Sequence, residues 1–253
     1  MTINAAVGQL KSVFCNIPKN VDKHISFINE AKKQGADIIV FPELSLTGYT
    51  LRDAVLEVAV DPDNEYIRKL ALHSEDIIII AGIVESGKKQ RCYNTAVLFE
   101  NCEIRSKHRK VFLPTYGMFE EGRYFSTGDD IKVHETSLGR IGIIICEDAW
   151  YPELVMKYRE LDIDLLVIMA ASPVKDIPEE IGIRNKEINN SLNRFHARNL
   201  EVPAIFANKT GYEQGVCFWG GSSLYSSKGE KTAEASTFEE ELIISELDFH
   251  ADQ

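Results

Sequence analysis

The chain has 253 residues, enough to bury one substantial core, and a single domain over residues 1–253 is the expectation. Its formal net charge of −11 argues against nucleic-acid binding, which concentrates Lys and Arg; the basic run Lys107-His108-Arg109-Lys110 reads as a solvated face. No apolar run approaches the roughly 20 residues of a membrane helix, and the first ten residues show no secretory leader pattern, so no membrane association is expected.

Residues 3–8 alternate like a first strand. Asn20 is expected to cap a helix over residues 21–33, in which Val21, Ile25, Ile28 and Ala31 recur at helical spacing and Gly35 ends the run. Residues 37–41 form a short apolar strand that runs into Pro42 and Glu43. A helix over 64–73 and a buried strand over 76–84 follow, then strands over 93–100 and 103–110 around the turn Asn101-Cys102. After a loop rich in Pro, Gly and aromatics, strands are predicted over 131–135 and 139–145, with Cys146 directly after the second.

Residues 152–161 predict a helix with Pro in its first turn, and 165–169 a buried strand ending at Ala170-Ala171-Ser172. A long polar helix over 178–200 carries Ile181, Ile183, Ile188, Leu192 and Phe195. It reads equally as a dimer-interface helix or an ordinary surface helix. Strands over 202–207, 216–219, 222–225 and 241–248 complete the chain, with Phe218 and Trp219 expected in the core. Strand–helix alternation with hairpin-like pairs predicts an α/β fold whose mixed sheets carry helices on their faces.

Five cysteines without a Cys-x-x-Cys pair suit neither a disulfide scaffold nor a zinc knuckle, so a reducing cytoplasm is the expected setting. The six histidines show no metal-ligand spacing, and no metal or other cofactor is expected.

Glu43, Lys110 and Cys146 each stand at or just after the end of an apolar strand, where α/β folds expose side chains to a shared crevice. Taken singly, each has a plain structural alternative: a turn acid, a solvated lysine, a small buried thiol. Their surroundings narrow the choice. Phe41-Pro42-Glu43-Leu44-Ser45-Leu46-Thr47-Gly48-Tyr49 resembles the glutamate segment of the nitrilase superfamily of carbon–nitrogen hydrolases. His108-Arg109-Lys110-Val111-Phe112-Leu113-Pro114 resembles its lysine segment, and Gly142 through Glu153 its cysteine segment. Gly117-Met118-Phe119-Glu120-Glu121-Gly122-Arg123-Tyr124-Phe125 matches the loop carrying a second glutamate, and residues 208–223 a later Asn…Gly-Gly-Ser segment.

The resemblance implies a four-layer αββα sandwich, a Glu43–Lys110–Cys146 triad, and a homodimer or higher homo-oligomer. It implies a small-molecule amide substrate and a thioester on Cys146, with release of ammonia or an amine. Glu43 is the expected general base, and Lys110 with the Glu147 N–H the expected oxyanion donors. Lys110 is also expected to favour the Cys146 thiolate. Glu121, rather than the adjacent Glu120, is expected to orient substrate or Lys110, because the family acid stands two residues before Arg-Tyr-Phe.

Cys146-Glu147-Asp148-Ala149-Trp150, with Leu113-Pro114-Thr115-Tyr116-Gly117, looks most like the glutaminase domain of glutamine-dependent NAD synthetases. There Tyr116, Glu147 and Ser172 would correspond to substrate-pocket positions. A packing aromatic, a surface acid and a helix cap are their alternatives. The sequence lacks a Ser-Gly-Gly nucleotide loop, and Lys175 stands near where an arginine for the glutamine carboxylate is expected. A free-standing amidase acting on a linear amide is therefore the leading reading. A glutaminase that supplies ammonia to a separate synthetase, an N-carbamoyl hydrolase and a nitrilase are its alternatives.

Overall fold

The computed structural model describes residues 2–61, 63–174 and 184–249. In chain order its strands are β1 (Thr2–Gln9), β2 (Ile38–Val40), β3 (Ile78–Ser86), β4 (Cys92–Glu100), β5 (Glu103–Arg109), β6 (Val133–Thr136) and β7 (Gly139–Ile145). Then come β8 (Leu165–Ala170), β9 (Ala204–Asn208), β10 (Thr210–Glu213), β11 (Val216–Trp219), β12 (Ser223–Tyr225), β13 (Lys231–Glu234) and β14 (Glu241–Asp248). The helices are α1 (Ile17–Lys33), α2 (Val55–Val58), α3 (Glu65–Ala71), α4 (Glu121–Tyr124), α5 (Pro152–Val155), α6 (Lys157–Glu160) and α7 (Arg184–Leu200).

Two six-stranded sheets run in the orders β14-β1-β2-β3-β4-β5 and β13-β12-β9-β8-β7-β6, with β10 and β11 as a separate ribbon. Each sheet has a parallel centre, β1-β2-β3 or β7-β8-β9, flanked by antiparallel strands. Period-two alternation explains the layering. Ala5, Val7, Ile38, Val40, Ile78 and Ile80 of the first sheet face Ile141, Ile143, Ile145, Leu165, Val167 and Met169 of the second. The intervening Ile39, Ile79 and Ala81 pack outward on Val21, Ile28 and Ala31 of α1 and Ile67 and Leu70 of α3. On the other side Ile144, Leu166, Ile168 and Phe206 meet Ala197 and Leu200 of α7. The result is the αββα sandwich with two mixed sheets. Truncating an inner-face residue such as Ile80 or Leu165 to Ala should cost about 2–5 kcal/mol.

Several local expectations are corrected. Asn16, not Asn20, caps α1: its side chain accepts from Lys19 N at 3.1 Å, and Pro18 suits the first turn. Asn20 is buried inside the helix and bonds Val13 and Leu46, tying α1 to the segment after Glu43. The helix predicted over 152–161 divides into α5 and α6, the strand predicted at 131–135 runs Val133–Thr136, and β10 and β13 were not anticipated. Of the polar helix predicted over 178–200, residues 178–183 lie outside the described residues, Ile181 and Ile183 with them, and α7 accounts for the rest. Ile188 and Phe195 on α7 are exposed, Leu192 packs against the core, and Phe218 and Trp219 are fully buried as expected. No helix among the described residues is long and apolar enough to cross a membrane.

Candidate active site

Glu43 leaves β2 in a turn that needs room. The next residue, Leu44, has φ 48°, and the turn lies so close to β3 that a Cβ on Gly82 would sit 2.3 Å from Leu44 N and 2.7 Å from Pro42 O. Glycine at 82 is therefore what lets the turn pass. Ser45 Oγ accepts from Gly82 N at 3.2 Å and contacts His24 Nε2 at 2.9 Å, fixing the turn from behind.

The Glu43 carboxylate is buried and joins both sheets. Oε1 accepts from Asn94 Nδ2 of β4 and from Lys110 Nζ, each at 2.7 Å; Oε2 accepts from Ala171 N, just past β8, at 2.9 Å. Lys110 follows β5, where its N–H donates to Asn94 O at 2.9 Å and its carbonyl accepts from Gly128 N at 2.7 Å. Its side chain has no solvent exposure. Nζ also donates to Glu121 Oε1 at 2.7 Å, an oxygen that accepts from Tyr49 OH as well. Glu121 opens α4 inside this cluster, whereas Glu120 faces solvent.

Cys146 directly follows β7, has φ 50° and begins a short 3₁₀ turn, Cys146–Trp150. Asp148 in that turn is fully buried. One of its oxygens accepts from Ile145 N at 3.1 Å; the other accepts from Val111 N at 3.1 Å and Phe112 N at 2.8 Å. It thereby clamps the turn bearing Cys146 to the segment bearing Lys110.

Charge balance sets the protonation states. Burial holds the Cys146 thiol well above its ordinary range; the Glu43 charge adds to this, and Lys110 opposes it without prevailing. The lysine thus pulls toward the thiolate, and burial with the Glu43 charge outweighs it. Burial alone would lower Lys110, but Glu121 and Glu43 together hold its ammonium well above the usual lysine range. One ammonium cannot balance two carboxylates, so Glu121 is pushed up to about 7, by burial first, with Lys110 lowering and Glu43 raising it. Among the described residues its Oε2 has no hydrogen-bond partner, and it can carry that proton.

A cavity of 240 Å³ opens on Cys146 and is lined by Tyr116, Phe119, Glu147, Trp150 and Ser172 among others. The three residues predicted to line a substrate pocket therefore surround the same space as the thiol. Tyr116 OH donates to Glu147 at 3.0 Å, and Ser172 N donates to Asn208 Oδ1 at 2.8 Å. Lys175 lies outside the described residues. Sequence reasoning missed Asn94, Tyr49, Asp148 and the Ala171 N–H. A polar Asn94 inside the apolar run of β4 was a usable signal, and Tyr49 and Asp148 stood inside motifs already singled out. The Ala171 N–H left no trace, because any residue supplies one.

Residues 4–251 match the family model for carbon-nitrogen hydrolases. The glutamine-dependent NAD(+) synthetase of Acinetobacter baylyi is 30% identical over 243 residues, which are 96% of this chain and 44% of that protein. A nitrilase of Pyrococcus abyssi is 29% identical over 254 residues, covering 98% of this chain and 90% of the nitrilase. The crystal structure of a carbon-nitrogen hydrolase from Helicobacter pylori superposes with a TM-score of 0.88 at 25% identity, covering 98% of this chain and 90% of that one. The chain thus spans less than half the length of the A. baylyi synthetase but nearly all of the P. abyssi nitrilase. With its family model matched almost end to end, the chain belongs to the carbon-nitrogen hydrolase family, the nitrilase superfamily.

Proposed function

We propose that this chain hydrolyses a small linear amide through a thioester on Cys146, with Glu43 as general base, Lys110 as oxyanion donor and Glu121 holding Lys110. The observation that carries this reading is the buried ammonium of Lys110, shared at 2.7 Å between Glu43 and Glu121, within electrostatic reach of the Cys146 thiol.

The steps follow from the charges. The substrate carbonyl enters the cavity beside Cys146. As sulfur attacks carbon, Glu43 takes the thiol proton, so a thiol that rests protonated becomes a nucleophile only when its base is in place. Negative charge collects on the former carbonyl oxygen, where Lys110 Nζ and the Glu147 N–H are the donors; one such donor contributes about 3–4 kcal/mol. Glu43 passes the proton to the departing nitrogen, and ammonia or an amine leaves. Water, deprotonated by Glu43, then cleaves the thioester to the carboxylic acid and free Cys146.

The test is ammonia release from purified protein given simple aliphatic amides, ω-amides of dicarboxylic acids, carbamoyl amino acids and glutamine, with Cys146→Ala as control. Release from one class that disappears in the control supports the reading and names the branch. No release together with an unreactive Cys146 overturns it.

A second reading, a glutaminase passing ammonia to a synthetase, is favoured by the Tyr116–Glu147 pair beside Cys146. A carboxylate in that wall suits the α-ammonium of glutamine. Preference for glutamine in the panel selects it. Assembly as a homodimer or larger homo-oligomer belongs to the same proposal; the exposed Ile188 and Phe195 of α7 are consistent with a subunit contact, and sedimentation measures it.

A further inference from the structure

We propose that Glu213, backed by Lys209, is a positioning residue: it fixes the loop 48–50 so that Tyr49 holds Glu121, and through Glu121 Lys110, in working geometry. The inference rests on the catalytic reading above and concerns residues to which that reading gives no role.

Glu213 ends β10 and is buried. Its Oε1 accepts three hydrogen bonds from two consecutive residues: Tyr49 N at 2.7 Å, Thr50 N at 2.6 Å and Thr50 Oγ1 at 2.8 Å. Its Oε2 lies 3.0 Å from Lys209 Nζ, and neither side chain is appreciably exposed. Gly48 completes the fit. It has φ +91°, and a Cβ there would lie 2.4 Å from Glu213 Oε2, so the carboxylate fills the space a side chain would need.

What the carboxylate holds is the base of Tyr49. The Tyr49 ring meets Phe119 and Phe218 edge-on, at 6.4 Å and 5.9 Å between centroids, and its hydroxyl donates to the Glu121 oxygen that also accepts from Lys110. An unbroken line of contacts therefore runs Lys209, Glu213, Tyr49, Glu121, Lys110, Glu43. It begins just past β9 of the second sheet and ends just past β2 of the first, so it ties the two sheets together at the end where the reactive groups emerge. A buried ion pair adds little net stability over well-packed apolar side chains, so placement of the loop is what this pair supplies.

The experiment compares Glu213→Gln, Tyr49→Phe, the double variant and Thr50→Val. The readout is the rate of Cys146 alkylation by iodoacetamide, with the adduct located by peptide mass spectrometry. Glutamine in place of Glu213 turns an amide toward Lys209 or toward the Tyr49 and Thr50 donors, so the loop shifts; a shift of this kind should slow Cys146 about tenfold. Tyr49→Phe should slow it comparably, and the double variant should be no slower than the slower single, because both act on one line. Thr50→Val, which removes one of the three donors and leaves the two backbone N–H donors, should slow it by a smaller factor. It also decides the matter if Glu213→Gln fails to fold.

Wild-type rates in Glu213→Gln or Thr50→Val overturn the inference. Multiplying effects in the double variant overturn it too, since they would place Glu213 on a separate path. Wild-type Cys146 that is alkylated no faster than the chain's other cysteines, and no slower after Glu43→Gln, defeats the catalytic reading instead. The two failures are thereby distinguished.

Discussion

Lys110 and Glu43 form a 2.7 Å ion pair in which neither side chain is exposed, and the same ammonium serves Glu121. A pair so placed is costly to break, because removing one partner leaves an uncompensated charge in the core. Lys110→Met should therefore lose about 3–5 kcal/mol of stability in denaturant titration, with amide hydrolysis abolished. Near-wild-type stability would show that solvent reaches the two carboxylates.

Stability should carry the signature of Glu121. Its carboxyl is pushed from 4.5 up to about 7 in the folded chain, chiefly by burial. Between those values the unfolded chain has released the proton and the folded chain retains it. The contribution is thus fully present below 4.5 and is lost as pH rises to about 7. Glu121→Gln removes the titration, so its melting temperature should fall less than the wild type's over that window. Parallel curves would contradict the assignment.

Gly82 predicts a steric effect on the turn that carries Glu43. A methyl group at this position would meet Leu44 N at 2.3 Å and Pro42 O at 2.7 Å, both backbone atoms that cannot swing aside. Gly82→Ala should cost about 1–3 kcal/mol and displace Glu43. Thermal unfolding measures the first effect and a fall in kcat the second.

Asp148 satisfies three backbone N–H groups with its two oxygens. Asparagine offers one oxygen, and its amide nitrogen cannot accept. Asp148→Asn should therefore leave a buried donor unpaired at a cost of about 1–3 kcal/mol. Because these bonds together join the Cys146 turn to the Lys110 segment, kcat should fall more than KM rises. An unchanged kcat with lowered stability would confine Asp148 to folding.

The sequence carried the layers clearly, because alternation in residues such as Ile38, Ile39 and Val40 sends successive side chains to opposite faces. It carried Glu43, Lys110 and Cys146 through their strand-end positions and local motifs. It did not carry the cap of α1, since Asn16 and Asn20 are the same residue type four positions apart, and only tertiary contacts with Val13 and Leu46 bury the second. Nor did it carry the Glu213–Tyr49 tie, which joins positions 164 residues apart through backbone N–H groups. Contacts made by the backbone leave no compositional mark. Nor was the balance at Cys146 legible: that burial and Glu43 outweigh Lys110 depends on distances a linear sequence does not contain.

The most direct test of the thioester mechanism is intact-mass analysis of the protein quenched during turnover of an amide it hydrolyses, beside Cys146→Ala. A mass increase equal to the substrate's acyl group is expected, located on Cys146, absent from the variant and discharged when substrate is removed. Continued turnover by Cys146→Ala, or steady hydrolysis with no acyl group on Cys146 even in single-turnover quenching, would contradict it.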